Sequence, residues 1–251
     1  MKSKTVLILS VVLGLQSGFL WAGAFSGAIS RDSMVVADSL NRLSVGVDFE
    51  AIKRDILVGA TEVPDTLEAR SIDGFFAVDV TPWLSPFFRA GASSVLDALT
   101  DEYGDNKFKW SAGLNLNIWH YNVVSPDLLS GRLSIESMVE YASYASENVG
   151  GEGNNVEWTE LTMILPICYE IFEDLSLIAD KSLQTSLNFY AGPAMSIVDG
   201  TYSANDATFA EAKRFGFIGG VDIFLAEKVS IGAHMLVFDQ TSVTGTLRYH
   251  F

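Results

Sequence analysis

The sequence predicts an all-β protein, one antiparallel sheet closed into a transmembrane barrel of ten strands, with eight as the alternative count. Three observations predict it. Segment after segment alternates apolar and polar residues with a period of two. The less apolar face carries ionic groups among Gly, Ser and Asn, as a lumen does, and aromatic residues gather at segment ends, as interfacial girdles do.

The strands follow in order. Leu43, Val45, Val47, Phe49 and Ala51 alternate with Ser44, Gly46, Asp48 and Glu50. Ile72 to Val80 and Phe87 to Ala92 form the second and third segments, separated by a turn at Pro82 to Pro86. The fourth is the clearest, with Phe108, Trp110, Ala112, Leu114, Leu116 and Ile118 against Lys109, Ser111, Gly113, Asn115 and Asn117. The fifth sets Leu133, Ile135, Val139 and Tyr141 against Arg132, Ser134, Glu136 and Glu140. In the sixth, Leu161 to Ile171, Pro166 falls on the inner face and predicts a local bulge, because proline cannot donate to a ladder. The seventh runs from Ser186 to Ile197, and the eighth and ninth, Phe215 to Leu225 and Val229 to Val237, are joined by the turn Ala226-Glu227-Lys228. Val243, Gly245, Leu247, Tyr249 and Phe251 form the outer face of the last, and it must pair with Leu43 to Ala51 to remove the sheet edges.

Long acidic connections at Lys53–Arg70, Ser94–Asn106, Glu147–Asn155 and Asp199–Lys213 alternate with brief ones, the asymmetry expected between the two sides of a membrane. Closure also explains how every backbone group is satisfied in lipid, which an open sheet cannot achieve. Candidate girdles are Trp83, Trp119, Tyr121, Phe172, Tyr249 and Phe251 at one level, and Phe108, Trp110, Tyr144, Trp158, Phe215 and Phe217 at the other.

Composition narrows the function. With 251 residues the chain suits one domain, and a formal charge of -15 excludes a nucleic-acid binder that must neutralise phosphates. The single cysteine, Cys168, is expected to pack inertly in the lumen; it permits no intramolecular disulfide, and no cofactor or metal motif is present. Residues 1–24 read as a signal peptide: Lys2 and Lys4, an apolar run from Val6 to Leu15, and small residues for cleavage after Ala22 or Ala24. Residues 25–41 read as a periplasmic lead-in, and 42–251 as the barrel.

These features, ending in Tyr249-His250-Phe251, resemble the small outer-membrane β-barrel proteins, the OmpA-type and OmpX-type group with their opacity-protein relatives. The resemblance implies residence in the outer membrane of a Gram-negative-type bacterium, contact with its lipid, and delivery by the barrel-assembly machinery, which reads a terminal strand such as the one carrying Tyr249 and Phe251. Eight strands are commoner in that group than ten, and no peptidoglycan-binding domain follows.

Strand parity directs Asp48, Glu50, Asp79, Glu136, Glu140, Glu160, Glu170 and Asp222 into the lumen with Arg89, Lys109, Arg132 and Arg248. Mirror positions about the turns suggest that Asp79 faces Arg89 and that Arg132 faces Glu170. A barrel of this size is nearly filled by its side chains, so a structural or surface-interaction role is expected, the alternative being a narrow cation-preferring channel. A rim enzyme needs a histidine at the extracellular rim or the bilayer face. His120 is expected at a periplasmic strand end, His234 in the lumen opposite Arg248, and His250 is penultimate, so none fits. The loop acids Asp97, Asp101, Glu102 and Asp105 are expected to be solvated, as their spacing is not that of an EF-hand.

Overall fold

A computed structural model describes residues 43–81, 83–97, 100–123, 131–175, 183–204, 206–225 and 228–251, with the side chains of 172–175 and 183–184 left out. The expected signal peptide and lead-in, the Ala226-Glu227 turn and the Phe172 ring therefore lie outside the described residues. The strands are β1 (Leu43–Val58), β2 (Val63–Val78), β3 (Leu84–Asp97), β4 (Glu102–Tyr103), β5 (Asp105–Val123), β6 (Gly131–Glu147), β7 (Val156–Ile164), β8 (Ile167–Leu175), β9 (Leu183–Tyr202), β10 (Ala207–Glu211), β11 (Phe215–Leu225), β12 (Val229–Val237) and β13 (Thr241–His250).

All ladders are antiparallel, and β1 pairs with both β2 and β13, closing the sheet. β7 and β8 are one stave interrupted at Leu165-Pro166, and β4 and β10 are short pieces at the end of the barrel away from the carboxyl terminus, so the barrel has ten staves. The last strand pairs with the first from Ser44 opposite His250 to Ala51 opposite Val243, and the Phe251 N–H donates to Leu43 O at 2.8 Å. Pro166 causes no bulge. Ile164 faces Ala194 and Ile167 faces Ala191, so the register continues in phase across the break. Leu165 N–H donates to Pro193 O and Pro166 O accepts from Glu136 N–H. Gly192 makes this approach feasible, since a Cβ there would lie 2.3 Å from Leu165 O. The irregularities lie instead in β5, between Asn106 and Trp110 and between Asn117 and Trp119.

Three of the long connections are largely strand. Lys53–Arg70 is a hairpin whose turn is only the segment 59–62, while β3, β4 and β5 occupy most of Ser94–Asn106, and β9 and β10 most of Asp199–Lys213. Above the tops of β11, β12 and β13, β10 pairs with β9 and β1 and takes their place in the ring. The ring of ten therefore narrows to eight beyond the ends of β11, β12 and β13: β1, β2, β3, β4 running into β5, β6, β7, β9 and β10.

The reason these segments read as loops is a reversal of polarity within single strands. On β1, outward Val47 and Phe49 are exposed and inward Asp48 is buried; eight residues on, inward Ile56 is buried between outward Asp55 and Leu57. β6, β7 and β9 reverse near Ala142, Glu160 and Val198, and β2 near Arg70. Below the reversal the apolar face turns out, and above it the apolar face turns in, the pattern that hydrocarbon around the lower part and water around the upper part would favour. Tyr144 and Trp158 stand above the reversal on the inner parity, so they are not girdle residues; they are buried and stacked with centroids 4.6 Å apart. Phe108, Phe215 and Phe217 above, and Trp83, Trp119, Tyr121, Tyr249 and Phe251 below, are exposed on the outer wall. From Phe108 to Trp119 a tilted strand spans roughly 28 Å, close to the hydrocarbon thickness.

At the seam, His250 is buried with Nδ1 2.8 Å from Ser44 Oγ and Nε2 2.9 Å from Ser230 Oγ, linking the first stave to the last two. Replacing His250 by Ala removes both bonds, and the protein should be less stable by about 1–3 kcal/mol. A lowered urea midpoint for the heat-modifiable folded band is the expected result; an unchanged midpoint would show that the clamp contributes nothing.

Candidate functional site

The interior is layered. Toward the periplasm, Phe75, Ala77, Phe87, Met138, Ile164 and Tyr190 belong to one buried apolar cluster. In the extracellular extension, Ile52, Ile56, Leu67, Val95, Trp158 and Phe209 belong to a second. Charged side chains form a layer against both, with Phe75 opposite Arg89 and Phe238 beneath Arg54, because inward positions just below the reversal are ionic on several neighbouring staves.

The layer is built from chains of ion pairs. Arg248 pairs with Asp48 Oδ1, Asp48 Oδ2 lies 3.0 Å from Arg89 Nε, and Arg89 Nη1 reaches Glu140 Oε1 at 2.9 Å. Ser111 Oγ donates to the same Glu140 oxygen at 2.6 Å. Lys109 Nζ sits between Glu50 Oε2 at 2.5 Å and Asp73 Oδ2 at 2.7 Å, donates to Ser71 Oγ at 2.9 Å, and lies 4.5 Å from the centre of the Tyr144 ring. Arg54 Nη2 reaches across from β1 to Glu160 Oε1 on β7 at 2.5 Å, and Ser196 and Thr162 hydroxyls donate to that oxygen. Guanidinium faces rest on rings: Arg248 is 3.7 Å from the Phe75 centroid and Arg54 is 3.8 Å from that of Phe238. A cavity of about 30 Å³ lies among Glu50, Arg54, Arg89, Glu140, Glu160 and His234, with room for about two waters.

Asp48, Glu50, Arg89, Lys109, Glu140, Glu160 and Arg248 meet in this layer. Asp79, Glu136, Glu170 and Asp222 are buried nearer the periplasmic mouth, where Ser85 Oγ donates to Asp79 at 2.6 Å and Ser134 Oγ to Glu136 at 2.8 Å. Arg132 is half-buried there. The mirror pairing of Asp79 with Arg89 fails: the β2–β3 register puts Phe75 opposite Arg89 and shifts the mirror point by two residues. Arg132 does stand opposite Glu170, while its Nε donates to Asn122 Oδ1 at 3.3 Å. His234 lines the cavity opposite Thr244, and Arg248 is opposite Ser230. His120 is exposed near the end of β5, and Cys168 is buried in the periplasm-side apolar cluster. Of the loop acids, Asp97 Oδ2 accepts from the Thr100 hydroxyl at 2.7 Å, and among the described residues no acid, histidine or cysteine group is arranged to hold a metal.

Sequence reasoning missed two members. Arg54 was hidden because the apparent first strand stops at Ala51, although simple continuation of its parity reaches Ile52, Arg54 and Ile56. Asp73 carries the inward parity of Asp79 but has the aromatic Phe75 between them, which disguises the face as apolar.

Outside the membrane level, Tyr202 is pushed up to about 12, by burial first and then by the charge of Asp65. Its folded-state pKa lies above the ordinary 10.0, so its stabilising contribution is complete below pH 10 and is lost as pH rises toward 12. The difference between ultraviolet titrations of the wild type and Tyr202→Phe should be a single tyrosine ionising near pH 12; a difference centred near pH 10 would contradict the assignment. Within the layer, Arg89→Met leaves Asp48 and Glu140 buried without their shared cation, and should cost about 3–5 kcal/mol in denaturant unfolding. A loss below about 1 kcal/mol would mean that water or rearrangement replaces the guanidinium.

No protein-family model matches the chain and no curated protein matches it. Among solved structures, the outer membrane protease OmpT from Escherichia coli aligns over 88% of this chain and 96% of its own, with 8% identity and a TM-score of 0.38. Salmonella typhi OmpF in complex with daunomycin aligns over 82% and 97%, with 8% identity and a TM-score of 0.17. Neither likeness bears on activity; the closed barrel of ten antiparallel staves rests on the strand ladders themselves.

Proposed function

We propose that the chain is an outer-membrane β-barrel protein of a Gram-negative-type bacterium, made with a signal peptide over residues 1–24, with a sealed lumen and a structural or surface-interaction role. The observation that carries this reading is the packing of the interior. Two buried apolar clusters pack against the ion-pair layer, so a solute would have to displace buried Phe75 and Phe87 as well as Trp158 and Phe209. The polarity reversal on β1, β2, β6, β7 and β9 supports the outer wall as the lipid-facing surface. The extracellular extension, a closed ring of paired strands and not a set of free loops, is the part offered to partners.

No catalytic role is proposed. All three histidines lie at or below the membrane level, on β5, β12 and β13, and none reaches the extracellular extension where a rim enzyme would act. The excess of interior acids favours cations if any current flows, which keeps the narrow cation-preferring channel as the second reading.

Planar-bilayer recording separates the two. The protein refolded to its heat-modifiable form should give no resolved conductance steps; reproducible cation-selective steps would overturn the sealed reading in favour of the channel. Exposed Phe251, with Tyr249 two residues before it on the same face, supports recognition of the last strand by the barrel-assembly machinery. Deleting Phe251 should reduce the heat-modifiable fraction in cells more than Arg132→Gln does, and equal assembly of the two would refute that assignment.

A further inference from the structure

On the outer wall, where the faces of β1, β2 and β3 reverse polarity, lies a groove of about 510 Å³. Its lower part is apolar: Phe49, Ile72 and Ala92 present their side chains outward, and Ile72 is 51% exposed. Its upper part is polar: Arg70, Tyr103 and Asn106. Arg70 and Ile72 lie two residues apart on the same outward face of β2, and Ala92, opposite Ile72, pairs on its other side with Phe108 of the upper girdle. The groove therefore straddles the level at which hydrocarbon gives way to water.

Arg70 is held in place. Its Nε donates to Ser94 Oγ at 3.1 Å and its guanidinium carbon lies over Tyr103, 3.9 Å from the ring centroid. No ion pair of Arg70 occurs among the described residues, although acids outnumber basic residues 31 to 16 in the chain. The nearby carboxylates are engaged: Glu68, the next outward residue on β2, is bound by Lys53 Nζ at 2.9 Å, and Glu50 turns inward to Lys109. A fixed guanidinium directly above an apolar trough, in a wall otherwise poor in cations, complements a single amphiphile with an anionic head and hydrocarbon tails.

We propose that this groove binds the phosphate headgroup and the upper acyl chain of an anionic lipid of the outer leaflet, with Arg70 as phosphate ligand, Tyr103 as its support, and Phe49 and Ile72 against the chain. The assignment rests on the membrane-barrel reading above. The lipid is fixed in place by one charge-assisted contact and by the apolar floor together, so neither a free phosphate nor a neutral lipid satisfies the site.

Native mass spectrometry of refolded, delipidated protein titrated with equal phosphatidylglycerol and phosphatidylcholine of identical acyl chains tests it. The wild type should take up its first phosphatidylglycerol about fivefold more readily than phosphatidylcholine, the increment expected from one cation at a lipid surface. R70Q should bring that ratio to about one, while R214Q, an exposed arginine already paired with Glu211, should leave it unchanged. Glycerol phosphate in excess should not displace the lipid; displacement would show that the apolar floor plays no part and would overturn the lipid assignment. Equal uptake of the two lipids by the wild type, or an unchanged preference in R70Q, would also overturn it. Heat-modifiable migration of both variants, measured on the same samples, keeps such a failure distinct from a failure of the barrel reading.

Discussion

Closure is the constraint on which the rest of this structure depends. In hydrocarbon every unpaired N–H and C=O costs several kcal/mol, so a sheet crosses a membrane only when its first strand finds its last. Here β1 is paired with β13 over its membrane part and with β10 above it, and β10 exists because β11, β12 and β13 end where the chain leaves the membrane level. Without that short strand, the upper halves of β1 and β9 would stand as open edges. His250, bonded to Ser44 and Ser230, adds side-chain contacts at the place where backbone closure is made.

A second consequence follows from passing one sheet through two solvents. Inside the membrane level the outer wall takes the apolar residues, leaving the interior to polar and charged side chains that must satisfy one another. Above that level water takes the outer wall and the apolar residues collapse inward around Trp158 and Phe209. The ion-pair layer forms just below this change, where Glu50, Arg89, Lys109, Glu140 and Glu160 converge from separate strands. Its pairs are buried, and every member except Asp48, which is held between Arg89 and Arg248, has further hydroxyl or ring contacts; an isolated buried pair would not repay the desolvation of its charges. The interior is therefore specified as a set, and the same layer that fills the lumen also blocks it.

The same boundary shapes the outside. Arg70 and Ile72 share a face of β2 yet belong to different environments, and the groove beside them inherits both characters. Phe108 and Phe215 mark the level around the rim, while Tyr144 and Trp158, close in height, serve the interior because their parity is inward.

Ten staves, the pairing of Leu43–Ala51 with the last strand and the inward parity of most of the charged residues were legible in the sequence, because pleating imposes a period of two that any half-lipid, half-polar strand must display. The upper halves of the hairpins were not, since Lys53, Asp55, Glu68 and Arg70 turn polar groups outward and break the apolar phase just where the strand continues. Nor were the partners. Asp48 is joined to Arg89 and Arg54 to Glu160 across the lumen, between staves that are not neighbours, and such contacts depend on barrel diameter, on tilt and on the register of every ladder between them. Which face each residue occupies is a local property of the chain, so alternation alone reveals it. What each residue meets on that face follows only from closing the whole ring.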